Sequence, residues 1–126
     1  VQFLGADGFF ADELIKIGGD AVEGAYFTAG FFSGDPSPEL QDFIKKYKER
    51  YKATPDMFAA HGYDAARMII EVIKKYGPEP EQIRKGLSEI KDFPGVTGSI
   101  TIDEDGDTIR DVYILQVKDG EFNKIR

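Results

Sequence analysis

The sequence predicts an α/β fold, and three features of its pattern support this prediction. A strand, a helix and a second strand follow one another within the first 33 residues. Two long stretches with helical spacing occupy the middle of the chain, and alternating apolar residues mark its end. Because strand–helix–strand units usually connect parallel neighbours, the first segment favours a parallel sheet.

The first segment contains a short buried strand over residues 1–5, with the letters VQFLG. The turn Gly5-Ala6-Asp7-Gly8 follows, and a helix is predicted over residues 9–17, ending at Gly18-Gly19. Residues 25–32 are rich in aromatic and small side chains and predict the second strand. The expected apolar side of the helix consists of Leu14, Ile15 and Ile17.

The middle of the chain predicts three helices. Ser37-Pro38-Glu39 marks the first start, because serine can cap a helix, proline suits its first turn and glutamate favours its positive end. A second helix is predicted over residues 56–76, where Gly77-Pro78 stops it, and a third begins near Pro80 and ends before Pro94. The predicted apolar face of the first helix comprises Leu40, Phe43, Ile44, Tyr47 and Tyr51.

The last quarter of the chain changes to a β pattern. Residues 98–102 alternate, residues 103–107 (DEDGD) form a turn cluster, and residues 112–117 (VYILQV) predict a strong strand. Asp119-Gly120 then indicates a C-terminal β-hairpin. A calcium loop is disfavoured at DEDGD, because placing Gly106 sixth leaves Thr101 first and Val112 twelfth, and neither residue fits.

Composition excludes several classes of function. The chain has 126 residues, enough for one ordinary domain, and 16 basic against 23 acidic residues give a net charge of −7, which argues against nucleic acid. There are no cysteines, so disulfides, cysteine nucleophiles and thiolate metal sites are excluded. No apolar run approaches the roughly 20 residues of a membrane span.

No catalytic constellation is visible. The dinucleotide and P-loop glycine patterns are absent, as are G-x-S-x-G and S-x-x-K. His61 is the only histidine, so it cannot build a histidine-ligated zinc site, and it lacks an evident nucleophile partner. We therefore expect a packed or rim histidine, no enzyme activity and no cofactor.

Asp7 is the most informative acidic residue, because it lies between two glycines where a strand passes into a helix. Ligands of parallel sheets bind outside the carboxyl ends of strands, where an aspartate can pair with a cationic group. Aspartate is also common in turns, and the local pattern favours this second interpretation. Both remain open from the pattern alone.

Three blocks, in order, resemble a known family: FLGADGFFADELIKIGGDAVEGAYFTAGFF, AAHGYDAARMIIEVIKK and IKDFPGVTGSITIDEDGDTIRDVYILQVKDGEF. They are similar to the C-terminal part of branched-chain amino acid binding proteins, the type I periplasmic solute-binding proteins that serve ABC importers. The resemblance covers nearly the whole chain but only about the last third of such a protein. We therefore expect a segment of a longer protein.

The resemblance implies a portion of a type I periplasmic-binding-protein fold, with Rossmann-like parallel-sheet lobes and flanking helices. Residues 1–33 would form a β-α-β part of the C-terminal lobe. Residues 34–104 would be a mainly helical segment of the N-terminal lobe, and residues 105–126 would return to the C-terminal lobe as a strand and hairpin. The two lobes of this family close on a ligand in their cleft.

The resemblance also implies site residues. Asp7 occupies the acidic position of the family's G-x-[DE]-G turn, which accepts the ligand's α-ammonium, and Gly8 belongs to the same turn. Phe58 is the weaker expectation, for the ligand's apolar end. The groups that hold the ligand's carboxylate would lie in the N-terminal part of the family, outside this chain.

The expected function is non-catalytic binding of branched-chain or related amino acids, with an ABC permease as partner. The parent protein would be periplasmic or extracellular, with a lipid anchor as one form. A ligand-sensing domain of a receptor or regulator is the alternative, and a nucleotide-binding α/β enzyme fragment is disfavoured. Alone, the chain would expose apolar faces, and we expect poor stability, a homodimer or a domain swap.

Overall fold

The computed structural model describes all 126 residues and divides into two compact units. Unit 1 consists of Val1–Phe32 and Val112–Arg126, and unit 2 of Ser33–Asp111. In chain order the elements are β1 (Leu4–Gly5), α1 (Asp12–Gly18), β2 (Tyr26–Ala29), α2 (Pro38–Tyr51), α3 (Met57–Tyr76), α4 (Pro80–Ser88), β3 (Phe93–Gly95), β4 (Gly98–Ile102), β5 (Thr108–Ile109), β6 (Tyr113–Lys118) and β7 (Glu121–Lys124).

Unit 1 contains a four-stranded sheet in the order β1-β2-β6-β7. The predicted parallel pairing is confirmed for β1 and β2, whereas β6 runs antiparallel to β2, so the sheet is mixed. The predicted hairpin is confirmed: β6 and β7 pair antiparallel, and Asp119 and Gly120 adopt φ of 55° and 70° in the turn. The buried core of the unit comprises Ala25, Phe27, Ala29, Leu115 and Val117.

The helix predicted over residues 9–17 begins later than expected. A 3-10 turn covers Asp7–Phe9, and α1 begins at Asp12 after Ala11 in an extended conformation. The ring of Phe10 packs against Phe27 and Phe122, with centroids 6.1 and 5.1 Å apart, and this packing accompanies the break. Ile17 was expected on the apolar side of the helix, but it is 85% exposed.

Unit 2 contains the three predicted helices and a three-stranded sheet in the order β3-β4-β5. Its buried apolar residues are Leu40, Phe43, Ile44, Ala60, Val72, Val96 and Ile100. The strand β3 is absent from the sequence prediction. The chain leaves the unit after Asp111, rather than after residue 104, because Thr108–Ile109 pairs with β4.

The helix termini of unit 2 correct one expectation about capping. The Ser37 side chain makes no capping bond to α2; instead the Asp35 carboxylate accepts a hydrogen bond from the Ser37 N–H at 3.1 Å. Asp56 is the N-cap of α3, where its carboxylate accepts a bond from Ala59 N–H at 2.8 Å. Tyr51, expected on the apolar face of α2, is 58% exposed because it lies at the end of the helix.

The acidic segment between β4 and β5 is the predicted turn. One carboxylate oxygen of Asp103 accepts hydrogen bonds from the N–H groups of Asp105 and Asp107, at 3.0 and 2.8 Å. The side chains of the protein form no cluster of three or more potential metal ligands. None of the helices combines the length and the apolar character that crossing a membrane requires.

Candidate functional site

The turn that follows β1 is closed by backbone hydrogen bonds alone. The carbonyl of Ala6 accepts a bond from Phe9 N–H at 3.0 Å, and the carbonyl of Asp7 accepts one from Phe10 N–H at 2.9 Å. The Asp7 side chain is exposed and has no hydrogen bond or ion pair within the chain. The carboxylate is therefore not needed to form the turn that carries it.

The two glycines beside Asp7 differ in their surroundings. A Cβ on Gly5 would lie 2.4 Å from the ring of Phe9, so this ring rests directly against bare backbone. A Cβ on Gly8 would meet no atom within 4 Å. Gly5 thus lies directly against the Phe9 ring, whereas Gly8 leaves the backbone beside Asp7 open to approach.

Phe58 lies in the first turn of α3, in unit 2. Its side chain is 73% exposed, so it contributes little to the core of this unit. One turn later, a Cβ on Gly62 would meet no atom within 4 Å, so this part of the helix surface is open. His61, on the same helix, is half-buried. Asp7 and Gly8 belong to unit 1 and Phe58 to unit 2.

A buried carboxylate that the sequence analysis did not single out lies further along α3. Asp64 is 1% exposed and accepts three hydrogen bonds, from Val96 N–H at 2.8 Å, Thr97 N–H at 2.9 Å and the Thr97 hydroxyl at 2.7 Å. A Cβ on Gly95 would lie 2.7 Å from an Asp64 carboxylate oxygen. The tight turn between β3 and β4 therefore wraps around this carboxylate.

Two arginines extend this buried network. The Arg67 guanidinium lies 3.9 Å from Asp64 and donates a hydrogen bond to the Pro94 carbonyl at 2.8 Å. Arg110 donates a bond to the Thr97 hydroxyl oxygen at 3.3 Å. A sequence signal for Asp64 existed: it follows Ala60 by four residues and precedes Val72 by eight, so helical spacing puts a charge on the apolar face of α3.

Two open depressions occur, one in each unit; neither is lined by Asp7 or Phe58, but Gly8 lines the one in unit 1. The first, of about 270 Å³, lies beside α3 and α4, where the Tyr76 hydroxyl donates a hydrogen bond to Glu89. There the Tyr76 side chain, with a smaller contribution from Glu89, raises the pKa of Lys75. The second, of about 400 Å³, is mainly apolar and lies along α1.

Comparison with known proteins defines the class to which this arrangement belongs. The family model described as "Periplasmic binding protein" matches residues 1–121, and the chain belongs to this family. The fold is an α/β portion of the type I periplasmic binding protein fold. The chain spans about a third of the length of the relatives it matches.

Particular relatives narrow the class further. A Leu/Ile/Val-binding protein homolog of Brucella suis is 30% identical over 99% of this chain and 34% of the relative. The crystal structure of a leucine-binding protein, LivK, from Thermotoga maritima is 36% identical over 99% of this chain and 36% of that protein, with a TM-score of 0.86. The branched-chain amino acid transporter substrate-binding protein LivJ of Streptococcus pneumoniae, solved with isoleucine, is 28% identical over 95% of this chain and 35% of its own, with a TM-score of 0.82.

Proposed function

We propose that this chain is the C-terminal third of a non-catalytic solute-binding protein for branched-chain or related amino acids. The observation that carries the proposal is Asp7, an exposed carboxylate with no partner of its own at the end of a parallel strand. The relatives named above are a homolog of Leu/Ile/Val-binding proteins, a leucine-binding protein and a branched-chain amino acid binding protein solved with isoleucine, and they favour this class of ligand.

Asp7 would accept the α-ammonium group of the ligand. A charge-assisted hydrogen bond is short and strong, and it gains strength when the site closes and water leaves. The open backbone at Gly8 would let the ligand's amino end approach the turn without a steric barrier. This chain would supply the anionic half of the site, and the preceding part of the protein would supply donors for the ligand's carboxylate.

Phe58 would contact the apolar end of the ligand. An exposed phenylalanine on the first turn of a helix leaves a large apolar area uncovered within its own unit. Covering that area with a leucine or isoleucine side chain removes apolar surface from water on both partners. The residue therefore suits an aliphatic ligand better than a small polar one.

Replacement of Asp7 by asparagine in the full-length protein tests the proposal. We expect leucine affinity, measured by calorimetry, to fall by about 2 kcal/mol or more, or roughly 30-fold. Asp20→Asn is the matched control, because Asp20 is also an exposed aspartate in the first turn of a 3-10 segment of unit 1. Equal leucine affinity in the wild-type protein and Asp7→Asn would overturn the assignment.

The deaminated analogue 4-methylpentanoate separates the role of the ammonium from that of the rest of the ligand. The wild-type protein should bind it far more weakly than leucine, because Asp7 would then be enclosed without a cationic partner. Asp7→Asn should narrow this difference, since a neutral amide costs less to enclose than a carboxylate. If Asp7→Asn lost the same fraction of its affinity for leucine and for 4-methylpentanoate, an ammonium contact at Asp7 would be contradicted.

The distribution of the chain between lobes is part of the proposal. Unit 1 would belong to the C-terminal lobe and unit 2 to the N-terminal lobe, so the chain would cross between lobes after Phe32 and again after Asp111. The parent protein would work in the periplasm or outside the cell, lipid-anchored in one form, and deliver its ligand to an ABC permease. Uptake of leucine by membrane vesicles that contain the cognate permease, measured with and without the full-length protein, tests whether the protein delivers its ligand to that permease.

For the isolated chain we propose self-association, as a homodimer or a domain swap. The edge strand β1 carries Leu4, which is 75% exposed, and Phe3 beside it is 50% exposed. An unprotected edge with apolar side chains favours pairing with a second copy. Sedimentation of the isolated chain should show a dimer or larger species, and a monodisperse monomer with a cooperative thermal transition would contradict this.

A further inference from the structure

Thr97 joins two parts of unit 2 through a single hydroxyl group. It is 2% exposed, and its hydroxyl donates a hydrogen bond to Asp64 at 2.7 Å and accepts one from Arg110 at 3.3 Å. A hydroxyl has one hydrogen and two lone pairs, so it can make both bonds at once. No other side chain in the turn between β3 and β4 makes two such bonds.

The two hydrogen-bond partners of Thr97 belong to different segments of unit 2. Asp64 belongs to α3, the helix that presents Phe58 from its first turn. Arg110 is the residue before Asp111, with which unit 2 ends, and it lies in the irregular segment of residues 110–112 between β5 and β6. The turn between β3 and β4 is thus linked through Thr97 to two segments. One is the helix that carries the proposed ligand contact, and the other is the segment that leaves the unit.

We propose that Thr97 is a positioning residue for ligand binding. Its hydroxyl keeps α3 in register with the turn, which holds Phe58 ready for the apolar end of a ligand, and it fixes the place where the chain leaves unit 2. A side chain held in place before binding loses less entropy when the ligand arrives. The proposal rests on the proposed function, because Phe58 matters only if an aliphatic ligand contacts it.

The variant Thr97→Val tests the contribution of the hydroxyl group alone. The backbone N–H groups of Val96 and Thr97 still bond to Asp64 in this variant, so the turn keeps two of its three bonds to the carboxylate. Only the hydroxyl is lost, and with it the bond from Arg110. Thr97→Ser keeps the hydroxyl and provides the conservative rescue.

The decisive measurement is the ratio of leucine to alanine affinity in the full-length protein. Thr97→Val should lower leucine affinity by up to about tenfold, the limit reached when the whole free energy of one hydrogen bond to a charged group serves to preorganise α3 for the ligand. Alanine affinity should change much less, because its methyl group is too short to use Phe58. Thr97→Ser should restore the wild-type ratio to within about twofold.

Two further variants keep the inference testable. Arg110→Met should lower leucine affinity about threefold, the low end for one hydrogen bond, and Thr97→Val combined with Arg110→Met should be no weaker than Thr97→Val alone. Thr101→Val is the matched control. The Thr101 hydroxyl on β4 accepts a bond from Asp92 N–H at 2.9 Å and makes no hydrogen bond to Asp64 or Arg110. It should lower thermal stability without changing the ratio.

The outcomes distinguish this inference from the proposed function. A folded Thr97→Val protein with a wild-type ratio, or Arg110→Met with unchanged leucine affinity, would overturn the positioning role alone. A wild-type protein that binds neither leucine nor alanine would overturn both the proposed function and the inference. A changed ratio in Thr97→Val, restored by serine, supports the positioning role.

Discussion

Two aspartates in this chain occupy opposite environments, one in each unit. Asp7 is exposed in a turn that backbone bonds close without it, and its carboxylate has no partner in the chain. Asp64 is 1% exposed, and three donors from one tight turn surround its carboxylate. Asp7 lies in the short 3-10 turn Asp7–Phe9, whereas Asp64 lies inside the long helix α3.

The difference shows that the hydrogen-bond partners of a carboxylate indicate whether it contributes to folding or is available for binding. A buried carboxylate that already accepts three hydrogen bonds contributes to folding, because removing it would leave buried donors unsatisfied. An exposed carboxylate without partners contributes little to folding and is available to an external cation. The following predictions test this contrast, from the largest expected effect to the smallest.

Replacement of Asp64 by alanine should have the largest effect. The two N–H groups and the Thr97 hydroxyl would lose their acceptor inside the protein, and we expect a loss of about 3 kcal/mol or more in the free energy of unfolding. Urea unfolding of the full-length protein measures it. Asp20→Ala is the exposed control, and a loss in Asp64→Ala no larger than in this control would contradict the structural role.

Replacement of Gly95 by alanine should cost about 1–3 kcal/mol, because the added methyl would collide with Asp64 and with the Gly98 carbonyl oxygen, which lie 2.7 and 2.9 Å from its position. Thermal unfolding checks this. Gly62→Ala on α3 is the control, since its methyl would meet no atom within 4 Å. Alanine there should stabilise the helix by about 0.5–1 kcal/mol, and a stabilising Gly95→Ala would disprove the tight approach.

Replacement of Asp7 by alanine should change the free energy of unfolding by less than about 0.5 kcal/mol, as for an exposed residue without partners. The same variant should lose leucine affinity in the full-length protein. This separation of stability from binding is the sharpest form of the contrast with Asp64. A large loss of stability in Asp7→Ala would mean that the carboxylate supports the fold after all.

The surface pair of Asp42 and Lys46 on α2 should have the smallest effect. Their charged atoms are 2.6 Å apart, and the hydrogen bond to Asp42 raises the pKa of Lys46. A raised lysine pKa stabilises the folded state below the unfolded pKa, and the contribution disappears only as pH rises above about 10. Asp42→Asn should therefore leave the free energy of unfolding nearly unchanged between pH 6 and pH 8. A clear decrease of this free energy in that pH range would contradict the prediction.

Local patterns predicted the elements whose causes are local. The long helix α3 and the Asp119-Gly120 hairpin follow from periodicity and turn chemistry within a few residues, and both are present. The turn at residues 103–107 is likewise present, because Asp103 bonds to N–H groups two and four residues later. The parallel pairing of β1 with β2 followed from the helical connection between them.

Features that depend on distant contacts were missed. Asp64 is held by Thr97, 33 residues away, so helical spacing can place its charge on the apolar face of α3 but cannot identify its partner. The late start of α1 accompanies the packing of Phe10 against Phe122. The residue at which the chain leaves unit 2 depends on which strands pair, because β5 joins β4 whereas β6 joins β2. The roles of Asp7 and Phe58 came from family resemblance and stay predictions.

The pairing of β2 with β6 has a consequence for the order of folding. Tyr26 aligns with Gln116, and the whole of unit 2 lies between them in the chain. The ends of unit 1 must therefore meet across a long loop, and closing that loop costs less entropy once unit 2 has already become compact. During synthesis unit 2 can become compact first. The sheet of unit 1 is completed only when β6 and β7 have been synthesised and β6 pairs with β2.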